Sequence, residues 1–306
     1  MQFPIRTCLP ILALLLCFNL LYAQKTGTLS VVPGFIKTAP DANIITPTGV
    51  AVDKAGNIYI TNAGPHKLLE FDRDGNYLRS LLDGVLVKPH GVRVDREGFI
   101  WVTDLELHVV LKVAPSGQIA MVLGQLATSG EQDPNRKTVM FFKPADIAFD
   151  PDGNIFVADG YGNSRVVKLD KNGNFIKAWG QKGPEPGNFD NPHNVIIDRN
   201  NRLYVADRYN KRIQIFDLDG KLLDTWTHLG IPWGLAYGDD GMIYMSDGNN
   251  EKILVLDTTG KILNEYENPG QIPGALRAVH GITTDSAGNI YVTEVMNWRV
   301  EKFVRR

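Results

Sequence analysis

At 306 residues, 43% hydrophobic and 22% charged, the chain is long enough to bury a large core. With a formal net charge of −2, nothing in the composition points to the basic surface that a nucleic-acid groove or a polybasic membrane patch needs. No Gly-rich phosphate loop, strand–elbow serine motif or specific pair of carboxylates is present, which removes several common enzyme classes.

The chain begins with Arg6, an apolar stretch from Leu9 to Tyr22, and a small-residue cleavage point at Ala23-Gln24. Residues 1–23 therefore read as a secretory signal peptide, with the mature chain as one domain over 24–306. No later apolar run has the length of a membrane span, so no membrane insertion is expected after cleavage, and the expected location is secreted or periplasmic. Both cysteines, Cys8 and Cys17, lie in the leader, which leaves the mature chain without disulfides, a thiolate metal site or a thiol nucleophile. With Arg6 removed, the net charge becomes −2 − 1 = −3.

A lone strand, Thr28 to Val32, comes next, followed by a unit that recurs six times. Each unit starts with Pro (Val in the last), a variable residue and a small or polar residue. An alternating apolar run ending in Asp follows, then a Gly/Asn turn and a second apolar run. The starts are Pro47, Pro89, Pro144, Pro192, Pro232 and Val279, a spacing typical of repeats built from one supersecondary unit each. In the first unit, turns at Lys54-Ala55-Gly56-Asn57 and Arg73-Asp74-Gly75-Asn76 separate four short strands, the pattern of an antiparallel meander. Six such units predict an all-β, six-bladed β-propeller. The last unit lacks a fourth strand, which the lone N-terminal strand is expected to supply, closing the ring and removing the open edges.

Strand order places the second residue of every unit, the loops after Asp159 and Asp207, and the connections between blades on one face. The Asp-x-x-Gly turns lie on the other. The long connections from Gly124 to Lys143 and from Gly180 to Asn191 are expected to wall the first face.

The second residues are Thr48, His90, Ala145, His193, Trp233 and His280, so histidine occupies alternate blades. Three imidazoles set 120° apart at one height converge on the axis, the ligand set of a Zn²⁺ site with an open fourth position; imidazole also suits other divalent metals. A lone histidine would only fill the pore, but three of the chain's six His in strict alternation point to a metal. Tyr161, in the loop after Asp159, lies on the same face and can act as a base if nearby positive charge lowers its pKa. Arg208, one blade on, can stabilise that phenolate or hold a substrate carboxylate; the plain alternative is an ion pair with Asp207. The pairs Asn163/Arg165, Asn210/Arg212 and Asn297/Arg299, together with Asp104, Asp159, Asp207 and Asp247, read as loop-capping elements of the repeat. His66 and His108 read as outer, solvated loop residues.

The segment from Val205 to Asp217 closely resembles an NHL repeat. Lys88-Pro89-His90-Gly91, Asp159 to Arg165, Pro192-His193 and Ala206-Asp207-Arg208 resemble, in order, motifs of the peptidyl-α-hydroxyglycine α-amidating lyases. The resemblance implies a zinc on His90, His193 and His280, Tyr161 as base and Arg208 as its support. It also implies cleavage of a peptidyl- or N-acyl-α-hydroxyglycine to an amide and glyoxylate; the expected partner is that small-molecule or peptide substrate, and the expected state is a monomer. The family's first-blade arginine is replaced by Thr48, with Arg93 and Arg277 as possible substitutes. Its Met-Pro-His-Asp is replaced by Ala278-Val279-His280-Gly281, which removes a carboxylate of a structural calcium site, and Gly162 stands where animal enzymes have a disulfide cysteine. The rival expectation is a non-catalytic propeller that binds a protein or glycan on this face. A lactonase-type hydrolase ranks behind both, because it would place carboxylate and amide ligands at the pore positions.

Overall fold

The computed structural model describes residues 29–130 and 139–305; the leader over 1–23 lies outside them. The described residues form six four-stranded antiparallel sheets and no helix. Five sheets take four consecutive strands each. The sixth joins Leu29–Val32 to the outer edge of Arg299–Arg305, with Leu29 opposite Arg305 and Val31 opposite Phe303. The N-terminal strand thus closes the ring, as the sequence predicts, and no blade is left with three strands.

The turns form for a local reason. In Asp53-Lys54-Ala55-Gly56-Asn57, Asp53 accepts the Asn57 backbone N–H at 2.8 Å and its side-chain amide at 2.9 Å, while Gly56 takes φ of +92°. A side chain there would be strained. The same Asp clamp recurs at Asp95, Asp150, Asp198 and Asp285, so one local device fixes the register of the inner hairpins.

Each blade is apolar on both faces and packs on its neighbours. Ile196, Tyr204 and Ile213 of blade four meet Leu235, Met245 and Leu254 of blade five in one cluster. At the closure, Tyr291 and Val300 of blade six pack with Val50, Ile60 and Phe71 of blade one. Apolar burial at every blade interface holds the ring together.

Close to the axis, backbone replaces side chains. A Cβ on Gly49 would lie 2.6 Å from the His90 carbonyl oxygen of the next blade. On Gly91 it would lie 2.7 Å from Ala145 O, and on Gly281 2.6 Å from Thr48 O. Glycine after the variable residue lets neighbouring blades approach this closely. Hydroxyls complete the stitching: Thr61 donates to His90 O at 2.8 Å and Thr103 to Ala145 O at 3.0 Å.

Candidate metal centre

His90, His193 and His280 each sit on the innermost strand of their blade, over Pro89–Val94, Pro192–Ile197 and Val279–Thr284. All three are buried, and their rings meet pairwise with centroids 4.8 Å apart. One nitrogen from each lies within 4.8 Å of the other two, close enough to bind a single metal ion.

What orients the rings is the rest of the repeat. His90 Nδ1 lies 2.8 Å from the Ala145 carbonyl oxygen, His193 Nδ1 2.6 Å from Trp233 O, and His280 Nδ1 2.7 Å from Thr48 O. A carbonyl only accepts, so each Nδ1 carries the proton and each Nε2 presents a lone pair. Ala145, Trp233 and Thr48 are the three position-two residues that are not histidine. The alternation therefore has two halves: one blade supplies an imidazole and the next supplies the backbone acceptor that sets its tautomer. The histidines were legible in the sequence. Their acceptors were not, because a main-chain carbonyl is common to every residue type.

Burial keeps these rings neutral, the form a metal requires. Desolvation, only partly countered by the hydrogen bond to Ala145, lowers the His90 pKa to about 4. His193 and His280 lie well below the ordinary value for the same leading reason, and the neighbouring imidazoles push the same way. The folded-state values are depressed, so in the metal-free chain stability is intact above the unfolded value of about 6.5 and is lost as pH falls toward 4. The expected slope is about 1.4 kcal/mol per pH unit for each histidine that must take up a proton. Thermal melts of metal-free protein between pH 7 and 4 check this; a flat profile across that window would contradict a buried neutral triad.

Tyr161 is brought to the triad as expected. Its hydroxyl oxygen lies 2.9 Å from His193 Nε2 and 3.1 Å from His90 Nε2. Burial raises its pKa to about 12, and the Arg208 guanidinium beside it works against that rise without reversing it. In the metal-free chain Tyr161 is therefore a neutral phenol donating to an imidazole nitrogen; the positive charge of Arg208 does not by itself bring its pKa below the ordinary value. Arg208 does not pair with Asp207, which is taken by Arg212 at 2.7 Å. Its guanidinium instead stacks on Trp233, 3.6 Å from the ring centroid, a strong cation–π geometry. Among the described residues neither Arg208 nor Arg277 has a carboxylate partner. Trp233, read from sequence only as a pore position, is thus the platform for Arg208 as well as the acceptor for His193.

The loop-capping elements behave as read: Asn163 and Arg165 hold Asp159, Asn210 and Arg212 hold Asp207, and Asn297 and Arg299 hold Glu294. His66 and His108 are more engaged than solvated loop residues would be. His66 pairs with Asp83 at 3.0 Å, and His108 Nδ1 accepts the Lys143 backbone N–H at 3.2 Å.

Arg93 differs from its expected role as a stand-in for a loop-face arginine. It lies on the pore wall, bonded through Nη2 to Asp146 at 2.6 Å, and it lines both a 20 Å³ cavity at the triad and a 510 Å³ cavity at the Asp-turn mouth. Asp146 is buried, and desolvation raises its pKa in spite of Arg93. Arg93→Met would strand that carboxylate, and a loss of about 3–5 kcal/mol in denaturant unfolding is expected. Adding Asp146→Leu should recover most of it. A loss below about 1 kcal/mol for Arg93→Met would mean that the pair does not hold the channel together.

A sequence family described as "6-bladed beta-propeller" matches residues 140–232, and one described as "Beta-propeller repeat" matches 38–61. Human NHL repeat-containing protein 3 is 35% identical over 191 residues, 58% of this chain and 54% of that protein. The chain is a six-bladed β-propeller, and its repeats are similar to those of NHL repeat proteins. The propeller is also 39% identical over 189 residues to a probable peptidyl-α-hydroxyglycine α-amidating lyase of Caenorhabditis elegans, 61% of this chain and 41% of that protein. It thus spans about half the length, or less, of the curated relatives it matches. Virginiamycin B lyase from Staphylococcus aureus shares the fold at a TM-score of 0.65 and 17% identity, covering 92% of this chain and 100% of that one.

Proposed function

We propose that the propeller is a zinc-dependent carbon–nitrogen lyase, acting outside the cytoplasm, that cleaves a peptidyl- or N-acyl-α-hydroxyglycine to an amide and glyoxylate. The observation that carries this reading is the tautomer lock: three buried imidazoles, each tied through Nδ1 to the next blade, so that every Nε2 presents a lone pair toward one point. A scaffold that only displays loops has no use for that arrangement. The partial similarity to an amidating lyase supports the same reading.

When bound, zinc supplies Lewis acidity toward the substrate hydroxyl. With a metal held by Nε2 of His90 and His193, those nitrogens would no longer accept from Tyr161, and the Arg208 guanidinium beside its oxygen would favour the phenolate. Tyr161 Oη then takes the hydroxyl proton. The electron pair of the broken O–H bond forms the C=O bond of glyoxylate, the C–N bond breaks with its pair going to nitrogen, and the proton passes to that amide nitrogen. Arg208, held flat by Trp233 and without a carboxylate of its own, is placed to bind the substrate carboxylate through its remaining N–H groups.

The test is glyoxylate release from N-benzoyl-α-hydroxyglycine by signal-free protein reconstituted with zinc. Zinc-dependent turnover above the spontaneous rate supports the lyase. No turnover by a zinc-loaded chain would leave the rival reading, a binding propeller.

A further inference from the structure

Blades four and six carry the same loops on the histidine face, built with the same bonds, so each is an internal control for the other. Arg212 binds the carbonyls of Pro184, Glu185 and Asn188; Arg299 binds those of Gln271, Ile272 and Ala275. Asn210 donates to Gly183 O as Asn297 does to Gly270 O, both at 3.0 Å. Gly183 and Gly270 close their loops on Phe189 and Leu276 in the same way, four residues before His193 and His280.

The backbone is shared and the exposed side chains are not. Where blade four has Glu185, Tyr209 and Lys211, blade six has Ile272, Met296 and Trp298, which are 71%, 57% and 57% exposed. Blade five places Asn249 and Glu251 at the last two positions. Trp298, Lys211 and Glu251 all adopt left-handed φ, of 53°, 54° and 57°, a conformation that disfavours a bulky side chain. The scaffold thus accepts polar residues at these sites, yet blade six exposes three large apolar ones. The loop that carries Met296 and Trp298 is tied to the strand that carries His280: the Val295 N–H donates to Ala278 O at 3.2 Å, two residues before His280. At its inner end Arg277, where blade four has Asp190, lacks a carboxylate partner among the described residues.

A ligand with an apolar body and a carboxylate at one end matches this pairing of an apolar stripe with arginines that lack a carboxylate partner among the described residues. We propose that Ile272, Met296 and Trp298 form the subsite for the N-acyl part of the substrate, making the propeller selective for α-hydroxyglycines whose N-acyl group is apolar. This rests on the lyase reading for the position of the glycine end. The apolar group can come from a lipid acyl chain or from hydrophobic residues of a peptide, and the stripe serves both by the same chemistry.

The test uses N-acylglycines, which lack the hydroxyl and bind without turnover. Calorimetry compares N-dodecanoylglycine, N-acetyl-Leu-Phe-Gly and N-acetylglycine on zinc-loaded protein. The wild type should bind at least one of the first two about tenfold tighter than N-acetylglycine, the selectivity that a few apolar contacts supply. The larger ratio identifies the lipid or the peptide source. The triple variant Ile272→Glu, Met296→Asn, Trp298→Lys borrows residues that blades four and five already hold on this backbone, and it should bring both ratios close to one with the melting temperature kept. Equal affinities in the wild type, or ratios unchanged in the variant, would overturn the proposal and leave the stripe to a macromolecular partner. If the preference is present but no glyoxylate is ever released from the hydroxylated analogues, the subsite stands and the lyase reading falls.

Discussion

Tyr161→Phe should keep the bound metal and lower glyoxylate release by about 10²- to 10⁴-fold, the range that a positioned proton acceptor contributes. The substitution removes one oxygen from a ring that remains packed against His90 and His193 at centroid distances of 5.1 and 5.4 Å. Little else should change, so the melting temperature of the zinc form reports that the site is assembled. The variant also separates two roles of the hydroxyl. In the metal-free chain Tyr161 donates to an imidazole nitrogen of the triad, and its loss there should ease metal entry. In turnover it must hold a proton, and Phe cannot. A near-normal rate in Tyr161→Phe would assign the proton to another group and remove the carrying role from the Tyr161–Arg208 pair.

His193→Ala should abolish tight metal binding and bring glyoxylate release to background. Two nitrogens and solvent remain, short of the three protein ligands that a catalytic zinc site uses. The same variant should gain in one respect. His193 is the triad member whose charged form is disfavoured by burial, by both neighbouring imidazoles and by Arg208 together. Removing it should shallow the loss of metal-free stability between pH 6.5 and 4. Zinc titration followed by melting temperature, at pH 7 and at pH 5, reads both effects. Unchanged zinc affinity at pH 7 would exclude His193 as a ligand.

Much of the fold was legible because each turn encodes itself. An Asp whose carboxylate clamps the N–H four residues on, with glycine at left-handed φ, repeats in recognisable form around the ring. The orphan strand before the first repeat, set against a last unit one strand short, gave the closure. The histidines were legible through symmetry, since only their positions in the repeat had to be matched. What could not be read depends on how blades meet in space. The acceptors at Ala145, Trp233 and Thr48 are main-chain oxygens. The Arg93–Asp146 pair joins residues 53 apart in sequence across a blade boundary, and Arg208 finds Trp233 rather than its neighbour Asp207. The balance at Tyr161 was equally hidden: burial outweighs the charge of Arg208 in the metal-free chain and pushes the phenol pKa to about 12. The apolar stripe on blade six stands out against blade four because folding gives the two the same loop backbone, held by Arg212 and Arg299.

The most direct test is the zinc content of purified, signal-free protein after saturation and removal of excess metal, measured beside the His90→Ala/His193→Ala/His280→Ala variant. The account predicts about one zinc per wild-type chain and none in the variant, with the propeller still folded. A wild-type chain that retains no zinc, or a variant that retains as much as the wild type, would contradict it.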